Sequence, residues 1–173
     1  MKPTDIAAGV CVEVADRSHL ASLVHGNAAM AQETEGKTLD LARLEAGISA
    51  VLEDPSKGFY LVATEAAKRE ATSDVVGQLM VTYEWSDWRN GTFFWIQSVY
   101  VWPVARRKGI YRALYAELLR MSRARGDVSG IRLYVERENR NAQATYAALG
   151  MEHAHYDMFE VDFVLGTRTD PGT

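Results

Sequence analysis

The stretch from Val99 to Tyr115 reads VYVWPVARRKGIYRALY, and it predicts a strand that ends near Val101 and a helix that begins around Ile110. Pro103 cannot donate a ladder hydrogen bond and therefore stops the strand. Because a helix N-terminus is already partly positive, cations there oppose the helix dipole unless an anion is bound beside them. Four cations occupy this helix start: Arg106, Arg107, Lys108 and Arg112. We therefore predict a phosphate site, in which Gly109 leaves the backbone accessible; the alternative is a solvated charge cluster with a glycine that only relaxes a turn.

Other phosphate-binding motifs are missing from the sequence, which contains neither GxxxxGK followed by Ser or Thr nor GxGxxG after an early strand. A second segment, VERENRNAQATYAALGM from Val135 to Met151, does stand out. It predicts a strand end followed by a short helix from about Asn141 to Leu149, which Gly150 terminates. Tyr146 lies on that helix, beside the preceding strand.

Periodicity predicts the remaining elements. Apolar and β-branched residues predict strands over Val10–Val14, Phe59–Thr64, Val75–Trp85, Thr92–Val101, Ile131–Glu136 and Tyr156–Val164. Helical spacing predicts helices over about His19–Glu33, over Leu41–Val51 and from Ile110 to Gly126. Asn90-Gly91 predicts a hairpin, and residues 66–74 predict a loop. These elements predict a single α/β (α+β) domain that comprises residues 1–173, with a core at about 10–165 and a loose tail at 166–173. The domain is expected to contain a mixed, mostly antiparallel sheet with helices on both faces.

Composition excludes several classes of protein. With 47% hydrophobic and 24% charged residues, the chain is typical of a globular protein and not of a disordered one. A net charge of -4 disfavours a protein that coats nucleic acid or an anionic membrane, although the region from Val104 to Arg125 is strongly basic. The single cysteine, Cys11, cannot form an internal disulfide or a Cys-rich zinc cluster. We find no export signal and no apolar run that could cross a bilayer, and we expect a cytoplasmic protein that uses no metal.

The two informative segments resemble the GNAT superfamily of acyl-CoA-dependent N-acyltransferases. The phosphate-loop pattern of that family is Arg or Gln, two residues, Gly, one residue, then Gly or Ala. It is similar to the segment from Arg106 to Ile110, and Tyr111 departs from its last position. The family's later pattern of Asn, Ala, Tyr and Gly is matched in spacing by Asn139, Ala142, Tyr146 and Gly150. The resemblance extends over about Cys11 to Val164 and is stronger after Ile96.

The resemblance implies that acetyl-CoA lies between two splayed parallel strands, which end at Val101 and Glu136. The pantetheine arm would pair with the backbone of Val99, Tyr100 and Val101, as an added strand does. The resemblance assigns the pyrophosphate to the backbone amides of Arg107, Lys108, Gly109, Ile110, Tyr111 and Arg112, and further cofactor contacts to Arg106, Asn139 and Ala142. An amine would attack the thioester directly in a ternary complex, and Tyr146 would donate a proton to the departing thiolate. The alternative for Tyr146 is a core aromatic.

The acceptor is predicted to be a primary amine of a small molecule. A weaker resemblance, in EWSDW at Glu84–Trp88, indicates the diamine and polyamine acetyltransferase branch, although Gln97 and Ser98 stand where that branch has acids. The candidate substrate-binding residues are Glu33, Tyr83, Glu84, Trp85, Asp87 and Gln97. No general base is identified. The alternatives are acetylation of protein lysine or N-terminal amines, and a non-catalytic acyl-CoA-binding sensor domain. We also predict a homodimer, because the segment Phe93-Phe94-Trp95 would otherwise expose large apolar side chains.

Overall fold

The computed structural model describes residues 4–7, 9–65 and 75–164, the first four by their backbone alone. The predicted loop at 66–74 and the predicted tail at 166–173 lie outside these residues. The chain divides into two compact units, Met1–Tyr134 and Val135–Thr173. The single domain over residues 1–173 stays a prediction. Of the helices in the described residues, none combines the length and the apolar character needed to cross a membrane.

The first unit is built on a six-stranded sheet whose strands lie side by side in chain order. The strands are β1 (Thr4–Ala7), β2 (Val10–Val14), β3 (Phe59–Glu65), β4 (Val75–Ser86), β5 (Gly91–Val101) and β6 (Val128–Leu133). All neighbours are antiparallel except β5 and β6, which are parallel. The predicted mixed, mostly antiparallel α/β sheet is confirmed, and the edge strand β1 is an addition that the sequence analysis missed.

The described residues contain the helices α1 (Leu20–Glu35), α2 (Leu41–Glu53), α3 (Ile110–Arg125) and α4 (Arg140–Ala148). The N-cap of α2 is Asp40, whose carboxylate accepts hydrogen bonds from the amides of Ala42 and Arg43. Gly109 precedes α3 and Gly126 follows it, and both adopt left-handed conformations. The helix positions agree closely with those predicted from periodicity.

The central strands of the sheet are covered on both faces. On β3, Tyr60 and Val62 belong to a core cluster with apolar residues of α1 and α2. Leu61, between them, points to the opposite face because side chains alternate along a strand. On that face Gly77 of β4 lies against Ile110 of α3. The predicted helices on both faces are therefore present.

The hairpin of β4 and β5 is confirmed, with Asn90 in a left-handed conformation at φ 45°. Phe93 and Phe94 are only 8% and 1% exposed within the chain, so no second copy is needed to cover them, and they give no support to the predicted homodimer. Arg132 lies 3.8 Å from the centre of the Phe93 ring. On the other face, Phe94 packs against Tyr83 with ring centres 5.7 Å apart.

The strands β5 and β6 separate part-way along β5. Their parallel pairing ends where Ile96 faces Leu133, whereas the antiparallel pairing of β5 with β4 continues to Val101. Gln97 is the extra residue of a β-bulge at the point of separation, and a bulge increases the local twist of its strand. This geometry confirms the splayed parallel pair, but β6 ends at Leu133 and not at Glu136.

The second unit contains α4 and, over residues 151–164, a segment without helix or strand. The prediction of a strand over Tyr156–Val164 is therefore wrong. Phe159, Val161 and Phe163 would share one face of an extended chain, so the local pattern favoured a strand, but none of the described strands pairs with this segment. Both phenylalanines are more than 90% exposed.

Candidate active site

The open edge of β5 is formed by backbone groups between the bulge and the phosphate loop. In an antiparallel ladder, every second residue turns its N–H and C=O groups towards the partner strand. The amide of Trp102 donates to the carbonyl of Val76, just beyond the ladder with β4. The backbone groups of Val99 and Val101 therefore face away from β4, on the side from which β6 has separated. An extended ligand could pair with β5 along this edge.

The loop before α3 has two backbone positions in the left-handed region, Arg107 at φ 64° and Gly109 at φ 82°. Glycine adopts this conformation freely, whereas for Arg107 it costs on the order of 1 kcal/mol. A Cβ atom at Gly109 would meet no other atom within 4 Å. Glycine is therefore favoured here by the backbone conformation and not by packing, and the space beside it is open. The first-turn amides of α3 have no partner within the helix and face this loop.

Three of the predicted cations, Arg107, Lys108 and Arg112, are exposed. No acidic side chain of the described residues pairs with them. Tyr111, which departs from the GNAT pattern, stacks on Tyr115 with ring centres 6.1 Å apart. Its ring therefore lies along the helix, beside that of Tyr115. The exposed positive charge of the loop attracts anions.

Arg106 differs from these three cations, because its guanidinium forms a two-pronged ion pair with Glu33 near the end of α1. The hydroxyl of Tyr100 donates to the same carboxylate at 3.3 Å. Hydrogen bonding from Arg106 lowers the pKa of the Glu33 carboxyl below its usual value, against a smaller effect of burial. A predicted phosphate ligand and a predicted acceptor-binding residue therefore neutralise each other.

The other predicted acceptor acids also have partners. Glu84 forms an ion pair with Arg132 of β6. Asp87 accepts a hydrogen bond from the amide of Trp88 at 2.8 Å in the hairpin turn. An incoming cation at Glu84 would therefore compete with an arginine. Within the described part of the chain, no three His, Cys, Asp or Glu side chains are grouped to hold a metal ion.

The predicted aromatic residues Tyr83 and Trp85 lie on the opposite face of β4 from Glu84, because side chains alternate along a strand. Tyr83 packs against Phe59 with ring centres 6.3 Å apart, and Arg125 of α3 lies over the Tyr83 ring. Trp85 is exposed near the hairpin end. The structure therefore does not bring these two aromatic side chains together with Glu84.

Gln97 lies at the centre of a polar network beside the bulge. Its Nε2 donates to Oγ1 of Thr82 at 2.7 Å, and the hydroxyl of Tyr134 donates to its Oε1 at 3.2 Å. The ring of Tyr134 lies 6.2 Å from that of Trp95. Thr82 and Tyr134 were not predicted from the sequence, although Thr82 alternates with Glu84 and Tyr134 with Arg132 at two-residue spacing, a signal that could have identified them.

In the second unit, α4 carries the residues of the later GNAT-like segment. Asn139 is the N-cap of the helix, and its Oδ1 accepts a hydrogen bond from the amide of Ala142 at 3.1 Å. Tyr146 lies one turn further along and is half-buried. Burial raises the pKa of its hydroxyl above the ordinary value of 10. The phenol is therefore protonated at neutral pH, as a proton donor must be.

Comparison with known proteins identifies relatives over most of the chain. Residues 26–151 match the model of the acetyltransferase (GNAT) family. The structure of a possible acetyltransferase from Clostridium difficile 630 is 43% identical in sequence. The match covers 90% of this chain and 99% of that chain, with a TM-score of 0.80. Among curated proteins, none matches the sequence at a significant level.

More distant solved structures share the fold. An aminoglycoside N-acetyltransferase in complex with CoA is 13% identical, with a TM-score of 0.70 over 95% of this chain and 98% of that chain. A ribosomal-protein-alanine N-acetyltransferase from Brucella melitensis biovar Abortus 2308 is 18% identical, with a TM-score of 0.67 over 89% of this chain and 99% of that chain. Because the family model spans well over half of the sequence, including the phosphate loop and α4, the chain belongs to the GNAT family and is an acetyl-CoA-dependent N-acetyltransferase.

Proposed function

We propose that this N-acetyltransferase transfers the acetyl group of acetyl-CoA to the primary amine of a small molecule, by direct attack in a ternary complex. The observation that carries the proposal is the outward-facing backbone of Val99 and Val101, which leads along β5 to the N-terminus of α3. A pantetheine arm would add to this edge as a strand does. Its diphosphate would then reach Gly109 and the first-turn amides, where the exposed cations of the loop balance its charge.

Acetyl-CoA supplies a thioester that is already activated for attack by an amine. The protein residues then have to orient the acceptor and move protons. Gln97 is assigned to orientation, since Thr82 and Tyr134 fix its amide at the point where β5 and β6 separate. The hydroxyl of Tyr146 is assigned as the proton source for the leaving sulfur, because Tyr146 stands at the tyrosine position of the GNAT-like pattern and a phenol is protonated at neutral pH. We assign no dedicated base, and the ammonium proton of the acceptor passes to water.

We favour a monoamine over a di- or polyamine as the acceptor. Glu33 is bound to Arg106 and Glu84 to Arg132, so a polycation would have to displace an arginine at each acid. The side chains of both pairs are about 40% exposed, and exposed ion pairs contribute about 0.2–1 kcal/mol to stability. The arginines therefore weaken a polycation-binding site at these acids without abolishing it. None of the three relatives is named as a polyamine acetyltransferase.

Release of the CoA thiol from acetyl-CoA across a panel of amines tests the proposal. The panel contains aliphatic and aromatic monoamines, diamines, spermine, and peptides with a free N-terminus or a lysine, and mass spectrometry identifies the acetylated product. We expect turnover with monoamines. Turnover confined to polyamines or to peptides would contradict the proposed acceptor class. Binding of acetyl-CoA without turnover of any amine would favour the sensor alternative.

The homodimer stays a prediction. Within the described residues, its remaining support is the exposed pair Trp85 and Trp88 at the end of the hairpin. Sedimentation at tens of micromolar protein tests it, and a monomer alone would contradict it.

A further inference from the structure

We propose that Arg106 is a positioning residue and not a phosphate ligand, and that through Glu33 it fastens the end of α1 to the start of the phosphate loop. The inference rests on the proposed function, because it concerns the loop that would receive the diphosphate. Four cations flank Gly109 in the sequence. Among them, Arg106 is the one whose charge is already neutralised by an acid of the described residues.

The guanidinium of Arg106 is committed at three of its nitrogens. Nη1 lies 2.6 Å from Oε1 of Glu33, and Nη2 donates to Oε2 at 2.7 Å. Nε donates to the carbonyl of Val101 at 3.0 Å. A planar fork that meets a carboxylate at both prongs holds the two groups in one defined geometry. To reach a phosphate, the side chain would have to give up these contacts.

The position of Glu33 in α1 is electrostatically unfavourable for a carboxylate that has no cation beside it. Glu33 lies in the last turn of α1, where the helix dipole is negative and a second negative charge is unfavourable. That turn contains no basic residue. Arg106 supplies the missing positive charge from a distant part of the chain, 73 residues away. The ion pair therefore joins the end of α1 to the end of β5.

Tyr100 strengthens the same junction. Its hydroxyl donates to Oε2 of Glu33 at 3.3 Å, and the Arg106 guanidinium lies 5.6 Å from the centre of its ring. Tyr100 is a buried residue of β5, so its ring provides a rigid support for the ion pair. Arg107, Lys108 and Arg112 are exposed and lack such contacts, which leaves them as the candidates for binding phosphate.

A double-mutant cycle measures whether Arg106 acts through Glu33. CoA affinity is determined by calorimetry for the wild type, Arg106→Ala, Glu33→Ala and the double variant, together with the melting temperature of the unliganded proteins. If Arg106 positions the loop through Glu33, all three variants lose affinity by the same factor, about 3- to 10-fold and within about twofold of one another. The unliganded melting temperatures should fall by similar amounts.

A direct phosphate contact predicts a different pattern. Arg106→Ala would then weaken CoA binding far more than Glu33→Ala, and Glu33→Ala would tighten binding by releasing a cation; either result overturns the inference. Arg106→Lys separates charge from geometry, because lysine keeps the charge and loses the planar fork. We expect its affinity to resemble that of Arg106→Ala, and wild-type affinity in this variant would also overturn the inference.

A donor without phosphates provides the second test. S-acetylpantetheine has the thioester and the pantetheine arm but no diphosphate. Arg106→Ala and Glu33→Ala should change kcat/KM by one common factor with S-acetylpantetheine, as they do with acetyl-CoA, because both remove the same ion pair; the control Arg107→Ala should lower it with acetyl-CoA alone. An Arg106 effect that disappears with S-acetylpantetheine while the Glu33 effect remains overturns the inference. A wild-type protein that binds no CoA would instead overturn the proposed function. This result can be told apart from the outcomes above, which all compare variants with a wild type that binds CoA.

Discussion

Tyr146 is assigned one chemical task, the protonation of the leaving sulfur. Tyr146→Phe keeps the ring and the helix and removes that proton, so we expect kcat to fall by about 10- to 10⁴-fold with little change in CoA affinity. The smaller loss is reasonable because a thiol with a pKa of about 8.5 is a fair leaving group without assistance. Steady-state kinetics and calorimetry on the same variant check both expectations.

The alternative for Tyr146 is a role in packing alone. In that case Tyr146→Phe would change stability by about 1 kcal/mol and leave turnover intact. Unchanged kcat with a lower melting temperature would therefore contradict the catalytic assignment. The sulfur would then take its proton from water.

Gly109 is the position at which the loop should be most sensitive to an added side chain. Saturating acetyl-CoA, at about 100 times its Kd, should stabilise the wild type by about 2.7 kcal/mol and raise its melting temperature by about 5–10 °C. Gly109→Glu adds a negative side chain beside the phosphates and should abolish this shift. Differential scanning fluorimetry with and without acetyl-CoA measures it.

The control for Gly109→Glu is Gly126→Glu, at the other end of α3. Gly126 also has a positive φ, 74°, and open space around its Cα. Both variants therefore bear a comparable backbone strain, but the Gly126→Glu protein should keep the acetyl-CoA shift. A Gly109→Glu protein that binds acetyl-CoA as the wild type does would show that the phosphates bind elsewhere.

At the scale of elements, one contact between β4 and α3 sets the position of the phosphate loop. A Cβ atom at Gly77 would lie 2.6 Å from Cγ2 of Ile110, the first residue of α3. Gly77→Ala should therefore push the start of α3 away from the sheet, destabilise the protein by about 1–3 kcal/mol and weaken CoA binding. Urea denaturation and calorimetry measure the two effects.

The matched control for this element is Gly47→Ala in α2. A Cβ atom at Gly47 would meet nothing within 4 Å, so alanine should stabilise the helix by about 0.5–1 kcal/mol and leave CoA affinity unchanged. Equal CoA affinity in the Gly77→Ala and wild-type proteins would contradict the view that this contact positions the loop.

At the scale of the whole molecule, buried phenols should make the fold sensitive to alkaline pH. Desolvation raises the pKa of Tyr60 from 10.0 to about 12, and burial also raises the pKa values of Tyr83, Tyr100, Tyr115 and Tyr146. Because the unfolded chain ionises first, the contribution of each neutral phenol is complete below pH 10 and is lost as the pH rises through its folded pKa. For Tyr60 this loss is about 1 kcal/mol by pH 11.

Urea midpoints at pH 9 and pH 11 test this expectation. The wild type should lose more stability between the two pH values than Tyr60→Phe does, because the variant lacks one of the phenols that ionise. Tyr60→Phe should be the less stable protein at pH 9, since it also loses the hydrogen bond between Tyr60 and Asn27. Equal losses in the two proteins would contradict the raised pKa of Tyr60.

Within the whole molecule, the sequence by itself determined what depends on neighbours along the chain. Helical spacing and the two flanking glycines located α3, and Asn90-Gly91 located the hairpin. Spacing also identified Gly109 and Tyr146 as candidates, because the conformation of a loop and the face of a helix are local properties. The strand expected over Tyr156–Val164 was wrong because a strand also needs a partner strand, which no local pattern supplies.

Only the tertiary structure decided which charges meet. Arg106 and Glu33 are 73 residues apart, and Glu84 and Arg132 are 48 apart. Both pairs exist because the sheet orders its strands and packs α1 against them, so spacing along the chain contains no information about them. The sequence therefore predicted a phosphate loop with four equivalent cations, and the fold assigned one of them to an acid because that acid lies at the end of a neighbouring helix.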